Sequence, residues 1–455
     1  MNASSITRQL AERIVDSDPL TDTRVVQLAR DGVLDWLASA VAARDDANAS
    51  VMITALGIRM EEQKYGHSSV LGRSERLGAL DAALMNGYLS HALDYDDVHE
   101  SVRGHPSAVI LSALLAEAEE RGASGAEFLA AYIIGIETMC RLGIAIGSRH
   151  YEEGWHNTST LGVIAAAAAC SRLASLDVET TVQALGLAAT QAGGLRVHFG
   201  TQVKPLHAGL AARSGLMSMR LAESGFKGSL EPLSGSLGFF AVFARGQERP
   251  EKATENWGNP WQIIEPGLWL KKYPCCSAAH HAADAALSIY KAYKPDFRDI
   301  DSITVTFPPG GDAALVVREP VTGVDGRFSV EYVVAAALAD GELGLSTFTE
   351  EPIRPELRVI AAKVQRRYDS ELAAAPGAMP KGRFAILKVK LTDGTTYVER
   401  VDCPRGAPGR PLSSQERLAK YEDAVQGLPD VWHTLADRVM QLELWNDMTV
   451  LISDH

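Results

Sequence analysis

The chain has 455 residues, a formal net charge of −13, 46% hydrophobic and 22% charged residues. That length exceeds one ordinary core and predicts two domains, and the composition is that of a globular protein. The acidic balance excludes a general nucleic-acid binder, which needs a basic face, but leaves room for a local basic pocket that takes an anion.

The N-terminal MNASSITRQLAERIVDSDP has no apolar signal core, so the chain starts as a cytoplasmic protein would. Apolar residues at helical spacing predict helices over 5–16 and 23–43, with Asp18 and Thr21 as caps, and over 48–60. KYGHSSVLGRSERLG, 64–78, reads as a connector, and a helix over 78–92 leads into the charged stretch His91–Ser107. Helices follow at 106–121, 125–146, 159–174, 178–191 and 205–224. Their alanines and glycines on several faces predict close helix–helix packing in a multi-layer bundle. No apolar run reads as long enough for a membrane span, so no membrane partner is expected. QAGG, 191–194, does not make a GxGxxG dinucleotide fingerprint, and 224–243 reads as a turn-rich loop.

Composition changes near residue 268. Cys275 and Cys276 are two of only five cysteines, with no CxxC pair or zinc-type array, which fits a reducing compartment. A helix over 277–293 is followed by strands at 301–309, 384–392 and 395–402, the last two joined by an Asp393–Gly394 turn. Helices at 328–340 and 355–366 lie between them. After the Pro/Gly linker 403–411 the chain returns to helix at 414–425 and 429–444. The expected fold is mainly α. A large, discontinuous all-helical domain (1–268 and 405–455) carries a smaller α+β lid domain (269–404).

Chemistry-bearing residues gather at four predicted helix starts. His105 precedes Pro106, and His156 precedes a helix expected to be capped by Ser159 or Thr160. Lys204 precedes Pro205, with His207 one turn on, and Ser277 is expected to cap a helix whose first turn carries His280 and His281. A helix N-terminus attracts carboxylate and disfavours a protonated base, which suits acid–base work near neutral pH. Tyr151 and Tyr332 are phenols able to move a proton or bind a carboxylate. Two readings of Asp94, Asp96 and Asp97 stay open at this level: divalent-metal ligands, or acids that orient histidines and carry protons. Their spacing matches neither an EF-hand nor HExxH, and no GxSxG elbow or P-loop is present.

NGYLSHALDYDD, RGHPSAVI, RHYEEGWHNTSTLG, GTQVKPLHAGLAARSG, KYPCCSAAHHAADAAL and RFSVEYVVAAALADG resemble the successive blocks of the MmgE/PrpD family, in family order from about residue 85 to 342. That family includes 2-methylcitrate dehydratase, cis-aconitate decarboxylase and iminodisuccinate epimerase. The resemblance implies a helical domain with an α/β lid, a homodimer, a site between the two domains, and neither metal nor organic cofactor. It implies proton transfer beside a carboxylate. By motif it marks Asp94, His105, Tyr151, His156 and Lys204 as catalytic. His280, Tyr332, His207 and Lys272, the last from NPWQIIEPGLWLKK, are expected to bind substrate. Val98 stands where the decarboxylase has threonine. Tyr332 is shared with the lyases and not with the epimerase. The expected function is therefore a cofactor-independent lyase of the dehydratase kind on a small di- or tricarboxylate. An epimerase using Tyr151 and Lys204 on opposite faces of one carbon is the alternative. A decarboxylase or a non-catalytic carboxylate binder is expected least.

Overall fold

A computed structural model describes residues 5–57 and 66–451, and local signals start and stop most of its helices. The chain begins with α1 (Ile6–Asp16), α2 (Thr23–Ala42) and α3 (Ala47–Ala55), then a two-residue ladder of β1 (Ser68–Ser69) with β2 (Arg76–Leu77), and α4 (Ala79–Ala92). It continues through α5 (Pro106–Arg121), α6 (Gly125–Ile146), the single turns α7 (Arg149–Glu152) and α8 (Asn157–Thr160), α9 (Gly162–Leu173), α10 (Val178–Ala189), α11 (Val203–Glu223) and α12 (Phe239–Ala244). Pro106 opens α5 and Gly122, at φ 60°, closes it in the left-handed region that glycine tolerates. Ser124 and Glu127 make a capping box on α6.

The differences from the expected boundaries have local causes. Asp22, not Thr21, caps α2, because its carboxylate reaches the Arg24 and Val25 amides; Asp18 caps the short turn Pro19–Thr21 instead. The helix expected over 48–60 ends at Ala55; positions 58–60 lie outside the described residues, as do 64 and 65 of the connector. The helix at Lys204 starts earlier, at Val203, so Lys204 is its second residue rather than its herald. α6, at 22 residues, is after all long and apolar enough to cross a membrane by composition. Nearly all of it is buried against α5 and α9, and it carries an internal Glu137–Arg141 ion pair.

The small residues do what their pattern suggests. α11 lies along α4, where a Cβ on Gly209 would meet the Leu84 carbonyl oxygen at 2.3 Å, so only glycine lets the two backbones approach this closely.

A second set of elements begins with α13 (His280–Tyr293) and β3 (Ile300–Phe307). Then come the turn α14 (Gly323–Gly326), α15 (Val330–Asp340), α16 (Pro355–Ala361), β4 (Val364–Tyr368), β5 (Ala385–Leu391) and β6 (Thr396–Val401). The sheet order is β4-β3-β5-β6, with β3 and β4 parallel and the other pairs antiparallel. On β5, Ala385, Leu387, Val389 and Leu391 face inward while Lys388 and Lys390 are exposed, the alternation of a half-buried strand. The helix expected over 355–366 stops at Ala361, and VQRRY becomes edge strand β4. Its pairing with β3 is long-range, and Arg366 ties it to Glu331 and Asp312, so the strand is specified by tertiary partners.

Two hydrophobic cores result. One runs from α1 to Ile263 and takes in Tyr421, Val425, Trp432 and Val439 from the last helices, α17 (Ser414–Val425) and α18 (Asp430–Val439). The other runs from Tyr273 to Val401. The chain thus returns to the helical core at its end, and we propose the expected domain limits, 269 and 404, as the place where it leaves and rejoins.

Candidate active site

The site begins where α4 ends. Asp94 adopts φ 51°, a left-handed conformation that aspartate tolerates better than most residues. The turn it makes packs Asp94, Asp96 and Asp97 behind the start of α5, all three nearly inaccessible. Val98 pairs with Trp269 through two backbone hydrogen bonds of 3.0 and 2.9 Å. That bridge brings Lys271 against Asp94.

The Asp94 carboxylate is held by two ammonium groups. Lys204 Nζ lies 2.9 Å from Oδ2, and Lys271, with no exposed side-chain surface, pairs with Oδ1 and donates to the Asp94 carbonyl at 2.6 Å. Burial opposes ionisation of Asp94, but Lys204 and Lys271 outweigh it and hold the carboxyl well below its usual range. Asp96 is a second anchored anion. It accepts from His91 Nδ1 at 2.9 Å, and His105 Nδ1 lies 3.2 Å away. Burial works against its charge and the two imidazoles overcome it, so its pKa also stays well below normal. Asp97 differs. It takes the Ser107 amide at 3.2 Å and the Ser107 hydroxyl, capping α5 from outside, and burial pushes its pKa up to about 8.

Histidine rings continue the cluster. His91 sits 4.2 Å from His105 and 6.2 Å from His156, centroid to centroid, and His156 Nδ1 is 3.1 Å from His207 Nδ1. His156 precedes α8, where Asn157–Thr160 are helical; Ser159 and Thr160 are therefore inside the turn and do not cap it. The His156 amide donates to Gly194 O at 3.0 Å, and Gly194, at φ 113°, needs to be glycine. The QAGG run thus seats a histidine.

A cavity of about 610 Å³ opens between the two cores. Asp94, His105, Tyr151, His156 and Lys204 all line it, with Val98, Arg196 and Phe199 from the first part of the chain and Trp269, Ser277, His281, Phe328 and Arg383 from the second. The four expected substrate-binding residues do not. His280 is wholly buried, its Nε2 facing Cys275 O at 3.2 Å; Ser277–Ala279 form a 3-10 turn without a serine cap, and that turn presents His281 to the cavity instead. Tyr332 donates to Thr347 O at 2.5 Å and lines a separate hollow with Asp340 and Arg354. Lys272 lies 3.9 Å from Glu416, and its neighbour Lys271 is the one that pairs with Asp94. His207 stands behind His156.

Arg196 and Arg383, which the motifs did not mark, complete the wall, and Lys271 stands behind it against Asp94; all three sit in short segments with no periodic signal. Lys420 on α17 donates to Asp35 Oδ1 at 2.7 Å, to Tyr95 O at 2.7 Å and to Lys271 O at 3.2 Å, so α17 (Ser414–Val425) fixes the backbone on both sides of the site. His91, Asp94, Asp96 and His105 have ligand-type atoms within 4.8 Å of one another, the one such group among the described residues. A divalent ion there would face the ammonium groups of Lys204 and Lys271 at contact range, so these donors fit a metal poorly.

Burial lowers the proton affinity of eight imidazoles, those of His91, His99, His105, His150, His156, His207, His280 and His281. His105 falls to about 3 and His207 to about 4. Apart from His91, which is paired with Asp96, these groups stay neutral near neutral pH in the folded protein while the unfolded chain takes up protons below about pH 6.5. The unfolded state then binds more protons, so stability falls as pH drops, by up to about 1.4 kcal/mol per pH unit for each imidazole. The raised carboxyls Asp31, Asp35, Asp97, Glu119 and Asp284 act in the opposite sense but are fewer. The melting temperature should fall steadily from pH 7 to pH 5 in differential scanning calorimetry; a flat profile would contradict neutral buried imidazoles.

Comparison with known proteins places this geometry. Residues 8–252 match the model of the MmgE/PrpD N-terminal domain, and residues 273–444 that of the MmgE/PrpD C-terminal domain. Cis-aconitate decarboxylase of Homo sapiens is 31% identical over 403 residues, 84% of this chain and 81% of that protein. The protein of the same name from Aspergillus terreus is 29% identical over 421 residues, 86% and 84% of the two chains, and that of Mus musculus 29% over 400 residues, 84% and 80%.

Proposed function

The chain belongs to the MmgE/PrpD family of enzymes, and from that premise we propose that it is a cofactor-independent lyase of the dehydratase type acting on a small di- or tricarboxylate. The observation that carries the reading is the convergence of Lys204, His105, His156 and Tyr151 on one cavity, beside an Asp94 that is already neutralised.

In this reading the Lys204 ammonium holds a substrate carboxylate and stabilises the enediolate that forms when the adjacent C–H proton leaves. Neutral His105 or His156 takes that proton. An arriving anion raises their proton affinity, so the base strengthens as substrate binds. Burial keeps the Tyr151 phenol protonated, with Arg196, Arg383 and Arg103 opposing. Its O–H proton goes to the departing hydroxyl as the C–O bond breaks, water leaves, and the arginines offset the phenolate. Asp94 is a poor proton carrier because two ammonium groups fix it as an anion; its part is to position Lys204. A homodimer, carried by the family resemblance, and a reducing, cytoplasmic setting, carried by the few and unpatterned cysteines, belong to the same proposal.

Decarboxylation is the second reading, favoured by the names of the relatives. Val98 on the cavity wall weighs against it, since a methyl pair replaces the hydroxyl expected there. Incubation with a panel of hydroxy- and unsaturated polycarboxylates, followed by proton NMR in D2O, tests the choice. New olefinic signals without CO2 are expected. Release of CO2 would favour decarboxylation, and deuterium uptake without net conversion would favour epimerisation.

A further inference from the structure

Two arginines on the cavity wall have charge to spare. Arg196 donates from Nη1 to Tyr151 O at 2.7 Å, and its Nε is buried without a partner. Its guanidinium carbon lies 3.7 Å over the Tyr151 ring. Arg383 spends one nitrogen on Gly310 O at 3.0 Å. Among the described residues neither has a carboxylate within ion-pair distance. Arg103, by contrast, is exposed and faces Glu152 at 3.8 Å, as a rim residue does. A half-buried guanidinium without an anion is costly, and its planar fork matches a carboxylate in two parallel hydrogen bonds.

The placement gives the pair a second use. Lys204 Nζ and the Arg196 guanidinium carbon are each 5.5 Å from the Phe199 ring, so at most twice that apart, the span of a short carbon chain. Arg196 lies in the helical part of the chain and Arg383 just before β5, and both line the same cavity close enough to the Tyr151 phenol to act on its charge. We infer that Arg196 and Arg383 form a second carboxylate subsite, separate from the Lys204 subsite, which selects substrates carrying at least two carboxylates and rejects monocarboxylates. This rests on the reading that Lys204 holds the carboxylate beside the reacting carbon.

The test uses unreactive probes: the saturated tricarboxylate propane-1,2,3-tricarboxylate by calorimetry and butyrate by ligand-observed NMR. Arg196→Gln and Arg383→Gln should each weaken the tricarboxylate by about tenfold or more, the loss of a charge-assisted hydrogen bond. Butyrate, needing only Lys204, should change by less than about twofold if the two subsites are independent. Arg383→Lys, which keeps the charge and loses the fork, should fall between wild type and Arg383→Gln. Equal weakening of both probes, or of neither, would overturn the subsite while leaving the Lys204 reading intact. Failure of the wild-type protein to bind either acid would overturn that reading together with the subsite.

Discussion

Lys204→Ala should lose about a thousandfold in kcat/KM while melting close to the wild-type temperature. The size follows from what the ammonium supplies. It is the cation 2.9 Å from Asp94 that also lines the cavity, flanked by the Phe199 and Phe328 rings at 5.5 and 5.3 Å. A charge preset where the enediolate develops acts in a dry, low-dielectric site, and removing one such donor typically costs 10²- to 10³-fold. The fold should survive because Asp94 keeps its contact with Lys271, so no buried carboxylate is stranded. Lys204→Arg should not rescue, since the guanidinium is wider and cannot reproduce a point contact between two aromatic rings. Steady-state kinetics with calorimetry checks both halves. Activity within tenfold of wild type would remove Lys204 from the chemistry.

Asp94→Asn should be the most destabilising single change at the site, about 3–5 kcal/mol by urea denaturation. Asp94 is 3% exposed and Lys271 has no exposed surface at all. Removing the carboxylate charge leaves the Lys271 ammonium buried with only the Asp94 carbonyl and the more distant Asp96 to answer it. Lys271→Met removes the opposite partner. The double variant should then be less destabilised than the sum of the two single changes, because the orphaned charge is gone, and the cycle reads the coupling directly. Additive losses would show that the pair is not the source of the stability.

Much of this architecture could be read from local chemistry. Pro106 and Gly122 bracket α5, the Ser124–Glu127 box starts α6, and the Asp393–Gly394 turn joins β5 to β6. Each is a backbone requirement met by one or two neighbouring residues. The five residues marked as catalytic by their motifs do line one cavity, although their roles are proposals. The misreadings share a cause, which is register set by distant partners. Lys271 rather than Lys272 turns inward because Trp269 pairs with Val98. His281 rather than His280 reaches the cavity because a 3-10 turn precedes α13. Strand β4 exists because β3 offers it a parallel edge. Lys420 anchors the site from more than three hundred residues along the chain, and nothing in its own helix announces it. Such choices turn on a single residue of rotation or shift, which sequence patterning does not resolve.

Proton NMR of substrate C–H signals in D2O reads whether this cavity moves a proton on carbon beside a carboxylate. With wild-type protein and the polycarboxylate panel, at least one acid should lose a C–H signal beside a carboxylate, and Lys204→Ala should abolish that loss. Persistence of every C–H signal with the wild-type protein across the whole panel would contradict the account.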